Sequence, residues 1–186
     1  MIDVAERDAM ARAVRSALAG ARGGDADAAL ATLGWLAMLD EEPGDAVAVV
    51  FRELGLANAA ATVLDDVLAA ALRVSPRADL AIVLPPFADW AAPGRIDEHG
   101  DLHALGLATA RAAVATELLI VCGPEHAPRV VLVPAGAVVA EEVRGIDPAA
   151  GLRSVRVQGR AATASPLDRD AWPTAIALGR RALAHQ

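Results

Sequence analysis

Paired carboxylates are the first residues of this chain that could do chemistry, because two acidic side chains at one site can act as acid and base. Asp65-Asp66 and Glu141-Glu142 are two such pairs. Neighbouring side chains diverge on a helix and point to opposite faces on a strand. We therefore interpret both pairs as solvent-facing rather than catalytic.

Histidine and cysteine are the other candidates for a metal-binding or reactive site. His99 and His103 have the i, i+4 spacing that brings two imidazoles together on a helix. They flank Gly100 in a predicted turn, so we do not predict a metal site there. Cys122 lies in an apolar run, which favours a buried and unreactive thiol.

The composition is that of a packed, acidic protein. The chain has 186 residues, of which 55% are hydrophobic and 3% aromatic, so a core built mainly from Ala, Val and Leu is expected. A net charge of -7 argues against nucleic-acid binding, which needs a clustered basic face.

No apolar run reaches the ~18 residues of a membrane span. The first residues are charged where a signal peptide would be apolar, and there is a single Cys, so we expect a cytoplasmic protein without disulfides.

Apolar residues at helical spacing predict that residues 1–75 form a helical domain. Asp3 and Glu6 are typical of a capping box at the start of the first helix. Gly20 and Gly23-Gly24 follow no strand, so they do not indicate a phosphate-binding loop. We predict that they end this helix.

Three more helices are predicted in the same domain. The second starts near Asp27 and carries Leu30, Leu33, Leu36 and Ala37. The third stops at Gly55, and Asn58 caps the fourth.

The pattern changes at Ser75-Pro76, where short β-branched runs bounded by Gly or Pro begin. These runs predict strands over residues 80–84, 117–122, 129–134, 137–143 and 154–158. Helices first and strands second predict an α+β fold with segregated layers. We therefore expect a small antiparallel β-barrel or sandwich over residues 76–167.

Residues 168–186 are predicted to form one more helix, with Asp168 or Asp170 as its cap and Pro173 in its first turn. Its apolar residues are Ile176, Leu178 and Leu183. We expect this chain to leave that apolar side uncovered, as in the first helix of a larger bundle. A partner chain or a second copy would then cover it.

This order of elements resembles the acyl-CoA dehydrogenase family. Residues 33–38 (LGWLAM) and 40–44 (DEEPG) resemble the family's Leu-Gly signature and the acidic-Pro-Glu turn after it. Residues 53–55 (ELG) match its Glu-Leu-Gly triplet. Residues 81–86 (AIVLPP) resemble the strand leading to the flavin-contacting Thr-Glu-Pro motif, and 99–106 the Asp-Gly turn that follows.

The likeness covers nearly the whole chain. Residues 118–122 and 130–134 resemble paired strands of the family's middle domain, and 180–186 the opening of its C-terminal bundle. The resemblance implies an FAD-dependent fold in which flavin takes a hydride and a carboxylate takes a proton from an acyl-CoA thioester. That carboxylate belongs to the C-terminal bundle, so the resemblance implies no catalytic residue in this chain.

The positions that match the flavin-contacting motifs depart from the family pattern. Leu84, Pro85 and Pro86 stand where the family has Thr-Glu-Pro, so the hydroxyl that hydrogen-bonds the flavin is missing. Thr109 is the only hydroxyl in the second flavin-contacting segment. We therefore expect this chain alone to bind FAD weakly or not at all.

Asp89 and Trp90 occupy the positions at which the family meets acyl-CoA, although Trp90 could equally cover an apolar seam between domains. These departures favour a divergent, non-catalytic subunit. Its partner would be an acyl-CoA dehydrogenase-type chain or a second copy. Two alternatives stay open: a non-redox structural or interaction protein that reuses the fold, and a fragment of an ordinary active enzyme.

Overall fold

The computed structural model describes residues 3–21, 26–124, 126–145, 150–160 and 163–186. The helices are α1 (Val4–Gly20), α2 (Ala26–Leu33), α3 (Trp35–Glu41), α4 (Pro43–Ala57), α5 (Leu64–Ala71) and α6 (Ala171–His185). The strands are β1 (Leu80–Ile82), β2 (Gly94–Ile96), β3 (Asp101–Ala108), β4 (Glu117–Cys122), β5 (Arg129–Pro134), β6 (Val138–Glu142), β7 (Arg153–Arg160) and β8 (Ala164–Pro166). A 3₁₀ turn, Ala110–Ala113, follows β3. Helices, then a sheet, then one helix confirm the predicted α+β class. None of the helices in these ranges is long and apolar enough to cross a bilayer.

The first helix begins as the sequence predicts. The side chain of Asp3 accepts a hydrogen bond from the backbone N–H of Glu6 at 2.8 Å, and the Glu6 side chain accepts from the backbone N–H of Asp3 at 3.1 Å. This capping box satisfies two amides that the helix itself cannot. The helix ends at Gly20, and Gly23-Gly24 lie outside the described residues.

The predicted second helix is in fact two helices, α2 and α3. Gly34 lies between them with a φ of 89°, a left-handed conformation that favours glycine and interrupts a helix. This turn resets the helical phase, so Trp35 and Leu39 are buried. Leu36, which the sequence places on one helix with Leu30, is 42% exposed.

The end of α4 also differs from the prediction. The helix runs through Gly55 and ends at Asn58, whose φ of 47° is left-handed. Asn58 therefore closes α4 instead of capping α5, which begins at Leu64. A Cβ on Gly55 would collide with the backbone carbonyl of Gln186, so this glycine allows close packing rather than ending the helix.

The eight strands form one sheet in the order β6-β7-β3-β2-β4-β5-β8, with β1 beside β4. Neighbouring strands are antiparallel except for the parallel pairs β1–β4 and β2–β4. The predicted strands 117–122 and 129–134 match β4 and β5. Strands β2, β3 and β8 were not predicted, because they are short or rich in Ala and Gly, which have low β-propensity.

Strand β4 is buried on both faces. Leu118 and Ile120 point into the core that the sheet encloses with β3, β5 and β7. Leu119 and Val121 belong to a second core, between the sheet and helices α5 and α6. This two-sided burial explains why β4 is a continuous apolar run instead of an alternating one.

The last helix packs against α5 and α4, so the apolar side that the sequence predicts to be uncovered is covered in part. Its buried residues are Trp172, Ala175, Gly179 and Ala182. Ile176 and Leu178 are half-buried, and Leu183 is 52% exposed. Pro173 lies in the first turn as predicted, and Asp170 precedes the helix without a capping hydrogen bond from its side chain.

Candidate functional site

The pair Asp65-Asp66 is buried at the start of α5, so the prediction that it faces solvent was wrong. Asp65 is 1% exposed and Asp66 is 4% exposed. Both carboxylates meet Arg111, which lies in the 3₁₀ turn after β3. Buried charges are stable only when they are paired and hydrogen-bonded, so the partners of these two side chains define the site.

Asp66 is held by a bidentate ion pair with Arg111. The Arg111 Nη1 donates to Oδ1 at 2.5 Å and Nη2 donates to Oδ2 at 3.0 Å. The indole Nε1 of Trp35 also donates to Oδ2, at 2.9 Å. Arg111 makes two further bonds, from Nε to the Thr62 hydroxyl at 2.9 Å and from Nη1 to the carbonyl of Arg77 at 3.3 Å. Both oxygens of Asp66 are thus occupied by fixed donors.

Asp65 has a different environment. Its Oδ1 accepts from the backbone N–H of Ile82 at 2.6 Å, and its Oδ2 accepts from the hydroxyl of Thr109 at 2.5 Å. Arg111 Nε lies 3.9 Å from Oδ2, too far for a hydrogen bond. Burial raises the pKa of Asp65 to about 6, although Arg111 and the hydrogen bonds act in the opposite direction. The Asp65 carboxyl therefore loses its proton around pH 6.

The same network reaches α2 through Thr62. The backbone N–H and the hydroxyl of Thr62 donate to Asp27 at 2.7 and 2.9 Å. We name the connected group the Asp65 cluster; its members are Asp27, Trp35, Thr62, Asp65, Asp66, Thr109 and Arg111. It joins α2, α3 and α5 to β1 and to the turn after β3.

Sequence reasoning missed this cluster because its partners are far apart along the chain: Arg111 lies 45 residues from Asp66. One signal was present. Arg111 occurs within a run of small, mostly apolar residues, ATARAAVA, and a buried Arg needs an acidic partner. The adjacent acids of α5 could have been considered as that partner.

The other predicted site residues line a groove between the loop after β1 and helix α6. Leu84, Pro85, Pro86, Asp89 and Trp90 all contribute to it, with further walls from α5, β3 and α6. We name it the Trp90 groove. It has a volume of about 280 Å³ and is mainly apolar.

Trp90 is fixed against α6 and lines the groove. The indole Nε1 of Trp172 donates to the backbone carbonyl of Trp90 at 3.2 Å, and the guanidinium of Arg180 lies 4.8 Å from the centre of its ring, a cation–π geometry. The Asp89 side chain accepts from the backbone N–H groups of Trp90 and Ala91 at 2.7 and 2.9 Å. The Trp90 ring is still 58% exposed, so it forms the edge of an open groove rather than a buried seam.

The residues at the flavin-matched positions do not fit the hydrogen-bonding role that a flavin ring would require. The backbone N–H of Leu84 donates to the carbonyl of Leu107 at 2.7 Å, and Leu107 donates back to Leu84 at 3.0 Å. Pro85 and Pro86 have no N–H to offer. The hydroxyl of Thr109 is outside the groove and donates to Asp65.

The two histidines each lie near an acidic residue. His103 Nε2 is 3.0 Å from Asp97 Oδ2, and His99 Nε2 is 3.6 Å from a carboxylate oxygen of Glu98. Hydrogen bonds from the backbone of Asp101, from His103 and from the backbone of His99 lower the pKa of Asp97 to about 2. In the described ranges, no three His, Cys, Asp or Glu side chains are grouped to hold a metal ion.

The remaining candidates lie where the sequence predicts. Cys122 is fully buried in β4, and burial raises the pKa of its thiol to about 12. A thiol that stays protonated is a poor nucleophile. Glu141 and Glu142 are exposed on β6, at the edge of the sheet.

The chain is similar in fold to several solved acyl-CoA dehydrogenases. It matches a variant of the steroid acyl-CoA dehydrogenase Tcur3481-Tcur3483 with a TM-score of 0.72 and 20% identity, over 97% of this chain and 62% of that one. It matches the ChsE4-ChsE5 complex from Mycobacterium tuberculosis with a TM-score of 0.68 and 17% identity, over 98% and 63%. It matches a glutaryl-CoA dehydrogenase from Mycobacterium smegmatis in complex with FADH2 with a TM-score of 0.68 and 15% identity, over 99% of this chain and 61% of that one. By sequence, the chain matches no protein-family model and no curated protein.

The fold is therefore that of the N-terminal helical and middle β domains of acyl-CoA dehydrogenases, as the resemblance implied. The chain spans about three fifths of the length of these proteins, with 61% to 63% covered. At identities of 20% or less, this likeness establishes the fold, and the function has to be inferred from the site.

Proposed function

We propose that this chain is an acyl-CoA dehydrogenase-type subunit that binds no flavin itself and acts beside a flavin-bearing partner chain. The assembly would remove hydrogen from the α and β carbons of an acyl-CoA thioester. The alternative is a non-redox structural or interaction protein that reuses the fold. The proposed domains are residues 1–75, 76–167 and 168–186, and the proposed location is the cytoplasm.

One observation carries the proposal: the groups at the flavin-matched positions are committed elsewhere. Leu84 pairs with Leu107, and Thr109 donates to Asp65. Thr109 and Asp65 are both buried, so freeing the Thr109 hydroxyl would leave Asp65 without that donor, which costs about 1–3 kcal/mol. A flavin on this wall would therefore meet apolar side chains and prolines.

Among the described residues that line the Trp90 groove, Asp89 is the one carboxylate that could serve as a base for proton abstraction. Its Oδ1 accepts from the backbone N–H groups of Trp90 and Ala91. Base and hydride acceptor must flank the same two carbons within about 3–3.5 Å of the reacting atoms. Because the flavin is proposed to belong to the partner, we assign the base that must lie beside it to the partner as well.

We infer that the groove contributes to binding the acyl thioester. Its apolar walls suit an acyl chain, although its volume of about 280 Å³ is at the lower end for a ligand site. Asp89 and Trp90 are the residues placed to contact the ligand. Structural neighbours described as heteromeric complexes, such as ChsE4-ChsE5, support the idea of a second chain.

Tryptophan fluorescence tests the groove. Of the three Trp residues, Trp35 and Trp172 are buried and Trp90 is exposed. Titration with octanoyl-CoA should change the emission of the wild-type chain, and Trp90→Phe should abolish this change while keeping an aromatic ring in place. Free CoA is the control ligand. A saturable response that persists in Trp90→Phe would place the binding site elsewhere.

The partner is tested by isolating the tagged chain from its own cells and identifying what binds it. A stoichiometric acyl-CoA dehydrogenase-type chain that carries flavin supports the proposal. A monomer that binds neither such a chain nor octanoyl-CoA would favour the non-redox alternative.

A further inference from the structure

The Asp65 cluster contains more buried negative than positive charge. Asp65, Asp66 and Arg111 are all less than 10% exposed, and they would carry two negative charges and one positive charge if all were ionised. The half-buried Asp27 adds a further carboxylate at the edge. An uncompensated buried charge is costly, and a carboxyl group in such a place tends to bind a proton instead.

The geometry indicates which carboxyl can hold that proton. Asp66 receives only fixed donors, two from Arg111 and one from Trp35, so a proton there would face another proton. Asp65 Oδ2 faces the Thr109 hydroxyl at 2.5 Å. A hydroxyl can donate or accept, so Thr109 can donate to the carboxylate and accept from the protonated acid.

We propose that protonation of the Asp65 cluster stabilises the packing of the helices against the sheet, and we call this arrangement the Asp65 clamp. A proton on Asp65 stabilises the packing of α5 against β1 and the turn after β3. Loss of this proton leaves an unbalanced buried charge that weakens this packing. The proposal concerns the stability of this chain and does not depend on the function proposed above.

The groups that face Asp65 come from every element packed around it. Asp66 on α5 favours protonation and Arg111 opposes it. Asp27 on α2 is reached through Thr62. Arg77, before β1, offers the cluster its carbonyl, whereas its side chain pairs with Asp79 and Glu117.

The direction of the pH effect follows from linkage. Burial raises the pKa of Asp65 from 3.8 to about 6, so the folded state binds the proton more tightly than the unfolded chain does. The stabilisation is fully present below pH 3.8 and is lost as the pH rises through about 6. Between about pH 5 and about pH 7.5, the folding equilibrium constant should fall roughly tenfold from this group alone.

The test is urea unfolding across this pH range for the wild type and two variants. Asp65→Asn mimics the protonated acid and should remove the roughly tenfold fall in the folding equilibrium constant. Glu53→Gln is the matched control, because Glu53 is also buried but pairs with Arg15 outside the cluster. Glu53→Gln should show the same roughly tenfold fall in the folding equilibrium constant as the wild type. The four His residues are common to every variant, so the difference between variants isolates Asp65.

A direct titration keeps the proposal testable if Asp65→Asn does not fold. The carboxyl ¹³C shift of Asp65 should report a midpoint near 6 in the wild type. In Thr109→Val the midpoint should move upward, because the hydroxyl favours the charged form. Protection of the Ile82 amide, which donates to Asp65, should fall as the pH passes this midpoint. A wild-type midpoint at or below the ordinary 3.8, or an unchanged pH dependence in Asp65→Asn, would overturn the clamp.

Discussion

Removing the guanidinium of the Asp65 cluster is a perturbation with a large expected effect on this fold. Arg111→Met keeps the length and much of the apolar stem of the side chain but deletes all its donors. Asp66 then loses two charge-assisted hydrogen bonds, and Thr62 loses one donor. Asp65 loses the positive charge that acts to lower its pKa.

The magnitude follows from burial. Arg111 and Asp66 have side chains that are 7% and 5% exposed, so water cannot replace the lost partner. Breaking a buried pair by removing one partner costs about 3–5 kcal/mol. That is a large part of the about 5–15 kcal/mol that stabilises a typical domain. At about 2–4 °C per kcal/mol for a chain of this size, the melting temperature should fall by roughly 6–20 °C.

Thermal and urea unfolding followed by circular dichroism measure this change. The matched control is Arg73→Met, which removes the arginine of an ion pair whose side chains are 84% and 70% exposed. It should leave the melting temperature at the wild-type value, because water and salt screen exposed pairs. If Arg111→Met melts no more than ~2 °C below Arg73→Met, the Asp65 cluster does not stabilise the packing of the helices against the sheet as described.

Three further predictions test packing and reactivity. Gly106→Ala places a Cβ against a backbone carbonyl and should destabilise the fold by about 1–3 kcal/mol, whereas Gly136→Ala, with open space around it, should be neutral in the same unfolding experiment. Leu30→Ala should cost about 2–5 kcal/mol because Leu30 is fully buried, and the half-exposed Leu36 should tolerate the same change at less than half that cost; equal losses would contradict the break between α2 and α3. Cys122 should resist iodoacetamide at pH 8 in the native protein and react in denaturant, because its thiol pKa is about 12; rapid native labelling would refute its burial.

Features set by neighbouring residues were predictable from the sequence. The capping box of α1 needs only Asp3 and Glu6, and the runs that form β4 and β5 are apolar and β-branched in themselves. The change from helices to strands near Ser75 is likewise a local property, so it yields the fold class. Leu84, Pro85, Pro86, Asp89 and Trp90 were singled out through the family resemblance, and the structure brings them to one groove.

Features set by distant partners were not predictable in this way. Gly55 has the usual signature of a helix end, and its actual reason is the approach of Gln186 from the other end of the chain. Asp65 and Asp66 have the signature of a solvent-facing pair, and only Arg111 makes their burial stable. Thr109 shows the functional consequence, because its hydroxyl is present in the sequence but is engaged by an acid from another element.

Flavin binding by the isolated wild-type chain is the most direct test of the proposal that its flavin-matched wall has lost its donors. The chain would be incubated with excess FAD, desalted, and examined by visible absorbance together with the protein concentration. The structure leads us to predict no retained flavin band. A stoichiometric flavin band, one FAD for each chain, would contradict the account.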